Sequence, residues 1–197
     1  MKSSWRQSLG TLCLALLLGD AVLILLSWIL SATMTAGVHS LLSEEGIRWF
    51  FGQFTSMLAS PLLAWLVLLL IAFGCMHRSG ILRAKHSYRD RMALRVAVVF
   101  LIVYLAVIML LTMMPHAVLL SATGSLFPSA FSRSIVPVVA FGMSLVSLVY
   151  GMMSGRFSSL ADAVDALSAG ISWGAPLFIL YILLRQFWES LVFVFWL

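Results

Sequence analysis

Three ionisable residues stand where a charge is costly, and they are the side chains of this chain best placed to do chemistry. Asp20 falls near the centre of the apolar run 9–31, while Arg185 and Glu189 fall in the middle and outer half of the run 173–197. A charge left facing hydrocarbon costs several kcal/mol, so each of the three must face a partner or water. Arg185 and Glu189 are four residues apart and share a helix face, with the amide of Gln186 beside them. Both runs would cross the membrane in the same direction, which puts Asp20 and Arg185 at comparable depth. The expected arrangement is an intramembrane polar cluster of Asp20, Arg185, Gln186 and Glu189 joining the first and last spans. It suits two roles: a charge-neutral staple that fixes helix pairing, or a relay for protons or a substrate.

Other reactive residue types are sparser. His39 precedes an amphipathic segment and His116 follows Pro115 at an outer turn. They form either a pH-sensing pair or two solvated loop residues. Cys13 and Cys75 both lie inside apolar runs, where a thiol acts as a small apolar packer rather than as half of a disulfide or metal site. No Walker motif, dinucleotide fingerprint, metal-ligand spacing or nucleophile constellation occurs, so neither an enzyme activity, a cofactor nor a metal is expected.

The elements that must position the cluster follow from composition. With 62% hydrophobic and 10% charged residues and a mean hydropathy of +1.09, the chain has too little polar surface to cover a water-soluble globule. A membrane helix needs about 20 apolar residues, and five segments approach that length: 9–31, 61–76, 96–114, 135–153 and 173–197. The runs are continuous and lack the alternation of a membrane barrel. The expected fold is all-α, a single polytopic membrane helix bundle of about five transmembrane helices over 1–197. Lys2 and Arg6 precede the first run, which is too long for the core of a cleaved leader and ends without a clear cleavage site. It is read as a retained span.

Charge placement gives orientation. Between His77 and Arg95 lie Arg78, Arg83, Lys85, Arg89 and Arg91, with Asp90 the acidic exception. Lysine and arginine excess marks the cytoplasmic side, and an even number of crossings separates this loop from the amino terminus. A bacterial-type inner membrane, a cytoplasmic amino terminus and an external carboxyl terminus are expected. The net charge of +5 comes mostly from this loop, which suits a topology anchor against anionic lipid and not nucleic-acid binding.

The second span is preceded by a more specific pattern. Ser43 is placed to cap a helix over 43–58 whose first turn carries Glu44 and Glu45. Ile47, Phe50, Phe51, Phe54 and Leu58 repeat at helical spacing, predicting an interfacial or re-entrant helix. Ser60 and Pro61 then supply a cap and a first-turn proline, so the chain restarts as a new helix. The second span is therefore a broken helix with its entry at Ser60 and Pro61. Since 61–76 covers only about 24 Å at 1.5 Å per residue, it borrows depth from the preceding helix or lets Arg78 snorkel. Broken helices line the binding sites of many transporters, and they also serve as plain interfacial anchors.

Later signals are local. Ser158 and Ser159 ahead of Asp162 form a capping box for a short cytoplasmic surface helix over 160–169. Gly170 with Gly174, and Ser147 with Gly151, are small-residue steps that allow close helix contact.

Two stretches carry a family resemblance. Thr123 to Asp165, reading TGSLFPSAFSRSIVPVVAFGMSLVSLVYGMMSGRFSSLADAVD, resembles in its proline, glycine and serine placement the second half of the AbgT family of p-aminobenzoyl-glutamate transporters. Leu41 to Leu82, with its Ser-x-Glu-Gly-Ile-x-Trp entry and Pro-Leu restart, resembles that family's early broken helix. This chain departs from the family at Met57-Leu58, Ala64 and His77-Arg78, where an Asn-Phe pair, a glycine and an acidic residue are typical. Leu184-Arg185-Gln186-Phe187 stands where the family has a small residue before Gln-Phe. Complete family members are more than twice this length and carry two re-entrant hairpins with polar tips. No such tip occurs between Leu82 and Thr123, and the second hairpin would begin about where this sequence stops.

The resemblance implies transport of p-aminobenzoyl-glutamate or a related aryl-amino-acid anion. Five helices enclose little space, so a homo-oligomer or a partner membrane protein is expected beside the lipid bilayer and a small anionic substrate. The missing hairpins imply the alternative, a non-transporting scaffold or accessory subunit built on the same framework.

Overall fold

A computed structural model describes residues 2–33, 37–83, 87–113 and 130–196. Its elements are α1 (Lys2–Ala32), α2 (Glu44–Leu58), α3 (Pro61–Ser79), a short 3-10 turn (Ile81–Arg83), α4 (Tyr88–Met113), α5 (Ala130–Met153) and α6 (Leu160–Trp196). No strand occurs among the described residues, and five of the helices are long and apolar enough to cross a membrane. The chain is an all-α multi-pass membrane protein. His116 and Pro115 lie outside the described residues, as does the part of the Thr123–Asp165 stretch before Ala130.

Apolar side chains cover the outside of the helices. Leu14, Leu18, Ile102, Val103 and Phe141 are all exposed, which would be untenable in water and is what lipid contact requires. The buried positions go instead to small residues such as Ala72, Ala93, Ala97, Ala140 and Ala166. Small side chains let helix backbones approach, and in lipid that close packing replaces the hydrophobic effect as the force between helices.

The helix bounds differ from the sequence expectation in one important place. The surface helix over 160–169 and the span over 173–197 are one continuous helix, α6, which contains Gly170, Gly174 and Pro176 in its interior. A proline removes one backbone hydrogen bond, and membrane helices tolerate that where neighbours satisfy the freed carbonyl. At 1.5 Å per residue α6 runs about 55 Å, well beyond a hydrocarbon layer of about 30 Å, so an untilted α6 extends past that layer. The amino-terminal end of α6 is capped as expected: Asp162 Oδ2 accepts from the backbone N–H groups of Ser158 and Ser159 at 2.8 and 3.0 Å, and Ser159 Oγ accepts from the Asp162 N–H at 3.2 Å. α4 also starts earlier than expected, at Tyr88, so Arg89, Arg91 and Arg95 belong to its first two turns rather than to a loop.

The chain divides into two compact units, 1–63 with 174–197 and 64–173. In the second, α4 and α5 pack against each other. Tyr104 Oη donates to the Val138 carbonyl at 2.7 Å, and α3 meets α6 so closely that a Cβ at Gly74 would fall on the Gly170 backbone and a Cβ at Gly170 on the Leu70 carbonyl. Its polar end was not foreseen. Arg156 Nη1 donates to the Ser79 carbonyl at 2.7 Å, its Nη2 lies 3.9 Å from Asp90 Oδ1, and its guanidinium covers the Tyr150 ring at 5.6 Å. Tyr150 Oη donates to Asp90 at 3.3 Å. Arg156 thereby links the ends of α3, α4 and α5 within this unit. Cys75 is buried here and both described cysteines are free thiols.

The first unit holds the candidate polar cluster. Leu23, Leu41, Phe193 and Val194 form its core, with Trp49 and Phe187 packed against them. α1 and α6 come close at Gly19, where a Cβ would stand 3.2 Å from the Phe187 ring. The segment before α2 is tied down by its backbone: the His39 N–H donates to the Val194 carbonyl at 3.0 Å, and the Leu41 N–H to Ser27 Oγ at 3.2 Å.

Candidate functional site

α2 begins as its sequence dictates. Ser43 Oγ accepts from the Gly46 N–H at 3.0 Å, which satisfies one of the free donors of the first turn, and Glu44 and Glu45 stand at the positive end of the helix. The face of α2 that packs lies beside the apolar stripe. Gly46 and Met57 are the buried positions, and Trp49 stacks on Phe193 with ring centroids 4.4 Å apart. A Cβ at Gly46 would collide with the carbonyls of Ser40 and Leu41, so the glycine is what lets the chain fold back on itself. Ile47 and Phe51 are left exposed, as a helix lying along lipid requires.

The break between α2 and α3 falls at the expected residues. α2 ends at Leu58 and Pro61 opens α3, where its missing N–H and fixed φ cost nothing. The Ser60 hydroxyl has a different task from the one its position suggests. It lies 2.7 Å from Tyr181 Oη, and Tyr181 Oη also donates to the Leu58 carbonyl at 2.9 Å. The polar groups freed by the break are therefore held by α6.

Two clefts flank α6 in this unit. The first, of about 170 Å³, is lined by Asp20 and Ile24 of α1, Leu41, Leu42, the Ile47, Phe50 and Phe51 side of α2, and Gln186 and Ser190 of α6. The second, of about 200 Å³, is lined by Trp49, Gln53, Ser56 and Met57 of α2 and by Arg185 and Glu189 of α6. The pairs 185/189 and 186/190 are each one helical turn apart, and the two pairs are offset by about 100° around the helix. One turn of α6 thus supplies polar groups to both clefts.

The expected cluster is only partly assembled. Arg185 Nη2 and Glu189 Oε1 are 2.6 Å apart, and Arg185 Nε donates to the Met57 carbonyl at 3.1 Å. Asp20 does not join them. It is 6% exposed, and its Oδ2 is buried with no hydrogen-bond partner among the described residues. The reason is rotational: at equal depth a side chain still has to point the right way, and Asp20 shares its cleft with Gln186 and Ser190, while Arg185 is turned toward α2. Ser190, 4% exposed, was missed. Its signal was present, since it stands four residues after Gln186 and shares its helix face.

Buried polar atoms are nearly always satisfied, so an orphan carboxyl oxygen at such a site calls for a reason. Arg185 and Glu189 neutralise each other and hold α2 to α6. Asp20 does neither, and it faces a cavity. Comparison with models of known protein families finds no match, and no curated protein and no solved structure matches the chain.

Proposed function

We propose that this protein binds a small aryl solute within the bilayer and carries it across, with p-aminobenzoyl-glutamate or a related aryl-amino-acid anion as the substrate class. The observation that carries this reading is an apolar and aromatic cleft with one unsatisfied buried carboxyl, Asp20, which suits the ring and the amino end of such a solute and not its carboxylates. Pockets built for organic ligands combine an apolar lining with a few placed polar groups. The second cleft, lined by Gln53, Ser56 and the ion-paired Arg185 and Glu189, offers the Gln53 amide N–H groups as donors one helical face away. The substrate class itself rests on the AbgT-like motifs quoted above.

In this reading the protein sits in a bacterial-type inner membrane with its amino terminus in the cytoplasm, following the basic residues between Arg78 and Arg95. It works as a homo-oligomer or with a partner membrane protein, because each described cleft is small. Uptake of labelled p-aminobenzoyl-glutamate by proteoliposomes tests the proposal; uptake no greater than in empty vesicles, with or without a sodium or proton gradient, refutes it.

A second reading has its own support. The Arg185–Glu189 pair and the Tyr181 hydrogen bonds are neutral, locally satisfied staples, as a non-transporting scaffold or accessory subunit would need. That reading leaves Asp20 without a role.

A further inference from the structure

We infer that the Asp20 cleft is a binding site for a small organic ammonium that carries an aromatic group. The inference rests on the solute-binding half of the function proposed above and requires no transport.

The argument begins with what Asp20 lacks. When ionised, a carboxylate only accepts hydrogen bonds, so a partner for Oδ2 brings a donor, and a cationic donor is the kind that holds the carboxyl ionised in a cavity within a membrane helix bundle. None of the residues lining the cleft is cationic: beside Asp20 the polar members are Gln186 and Ser190, and the rest are Ile24, Leu41, Leu42, Ile47, Phe50 and Phe51. Arg185, on the neighbouring face of α6, is already engaged by Glu189 and the Met57 carbonyl. No cation among the described residues lines the cleft, and a ligand is the source of charge that the cleft itself has room for.

The chemistry of the lining selects the kind of cation. Calcium takes six to eight oxygen ligands and magnesium six, and no group of three or more His, Cys, Asp or Glu side chains that could hold a metal converges among the described residues. A primary ammonium needs three acceptors, and the Asp20 carboxylate, the Gln186 carbonyl oxygen and the Ser190 hydroxyl are three. The rest of the ligand meets hydrocarbon. Phe50 and Phe51 stand edge to face with centroids 5.5 Å apart, forming a corner that accepts an aromatic ring and whose faces attract a cation. At about 170 Å³ the space resembles cavities of about 150 Å³ that take up benzene. An arylalkyl ammonium, or the amino end of an aromatic amino acid, fits both demands.

Calorimetric titration of the full chain in phosphatidylglycerol nanodiscs, which contain no lipid ammonium, tests this. Benzylammonium should bind saturably and at least about tenfold more tightly than benzyl alcohol, its neutral counterpart, a difference of about 1.4 kcal/mol. In Asp20→Asn that preference should vanish, while Glu44→Gln, at an exposed surface position, should keep it. Equal binding of the two probes by the unaltered chain, no binding of benzylammonium, or an undiminished preference in Asp20→Asn would each overturn the inference. Should Asp20→Asn fail to fold, the comparison of the two probes on the unaltered chain still decides. Repeating the titration in phosphatidylethanolamine discs, with binding to protein-free discs of each lipid subtracted, separates two sources of the ammonium: loss of the Asp20-dependent preference there identifies the lipid headgroup as the occupant, and an unchanged preference identifies a free amine. Binding without uptake in proteoliposomes would remove transport and leave the site standing.

Discussion

The hydroxyl of Tyr181 lies 2.7 Å from the Ser60 hydroxyl and donates to the Leu58 carbonyl at 2.9 Å, so one side chain of α6 closes the break between α2 and α3. In lipid, where water is not at hand to solvate a broken helix, such groups must be met by neighbours. Tyr181→Phe removes the hydroxyl and keeps the ring. It should destabilise the protein by about 1 kcal/mol, within the range of interhelical hydrogen bonds in membranes, as read by unfolding in a denaturing detergent. Unchanged stability would mean that Ser60 and Leu58 find another partner.

Arg185 and Glu189 should behave as a unit. Their side chains are about three-quarters buried, at 24% and 25% exposure, so removing one leaves the other partly desolvated and unpaired. Glu189→Leu should cost about 1 to 3 kcal/mol, and Arg185→Met with Glu189→Leu should recover much of that loss. The double-mutant cycle, measured by detergent unfolding, separates this pair from two independent contributions, which would add.

Glycine positions give a contrast of opposite sign. At Gly170 a Cβ would fall on the Leu70 carbonyl oxygen, whereas at Gly52 nothing lies within 4 Å. Gly170→Ala should destabilise by about 1 to 3 kcal/mol through overpacking against backbone, and Gly52→Ala should stabilise α2 by about 0.5 to 1 kcal/mol. Melting temperatures of the two variants moving the same way would contradict the packing described.

Arg156→Lys tests the polar end of the second unit. The arginine donates to the Ser79 carbonyl, approaches Asp90 and covers Tyr150 at once, which a planar guanidinium can do and a point-like ammonium cannot. A loss of about 1 kcal/mol in thermal stability is expected, and an unchanged melting temperature would show that charge alone suffices.

Local rules made much of this legible in the sequence. Ser43, Glu44 and Glu45 announced the start of α2, and Pro61 announced the restart of the chain, because caps and first-turn prolines act over three or four residues. Five apolar runs announced the spans. What escaped depended on neighbours that are distant in sequence. The surface helix over 160–169 and the span over 173–197 were expected as two elements, yet α6 is continuous through Gly170, Gly174 and Pro176, since a bundle can satisfy what proline leaves open. The stripe of Ile47, Phe50 and Phe51 announced an interfacial helix, and Ile47 and Phe51 are exposed; that the same side borders the Asp20 cleft depends on α1 and α6 and was not legible. Asp20 and Arg185 share a depth but not a direction, and direction is set by the packing of α1 on α6 near Gly19 and Phe187.

The function proposed stands or falls most directly on uptake of labelled p-aminobenzoyl-glutamate into proteoliposomes by the unaltered chain and by Asp20→Asn at equal reconstituted amounts. Uptake above empty vesicles that is lost in Asp20→Asn is the predicted result. No uptake by the unaltered chain under a sodium or a proton gradient, or equal uptake by the two, would contradict it.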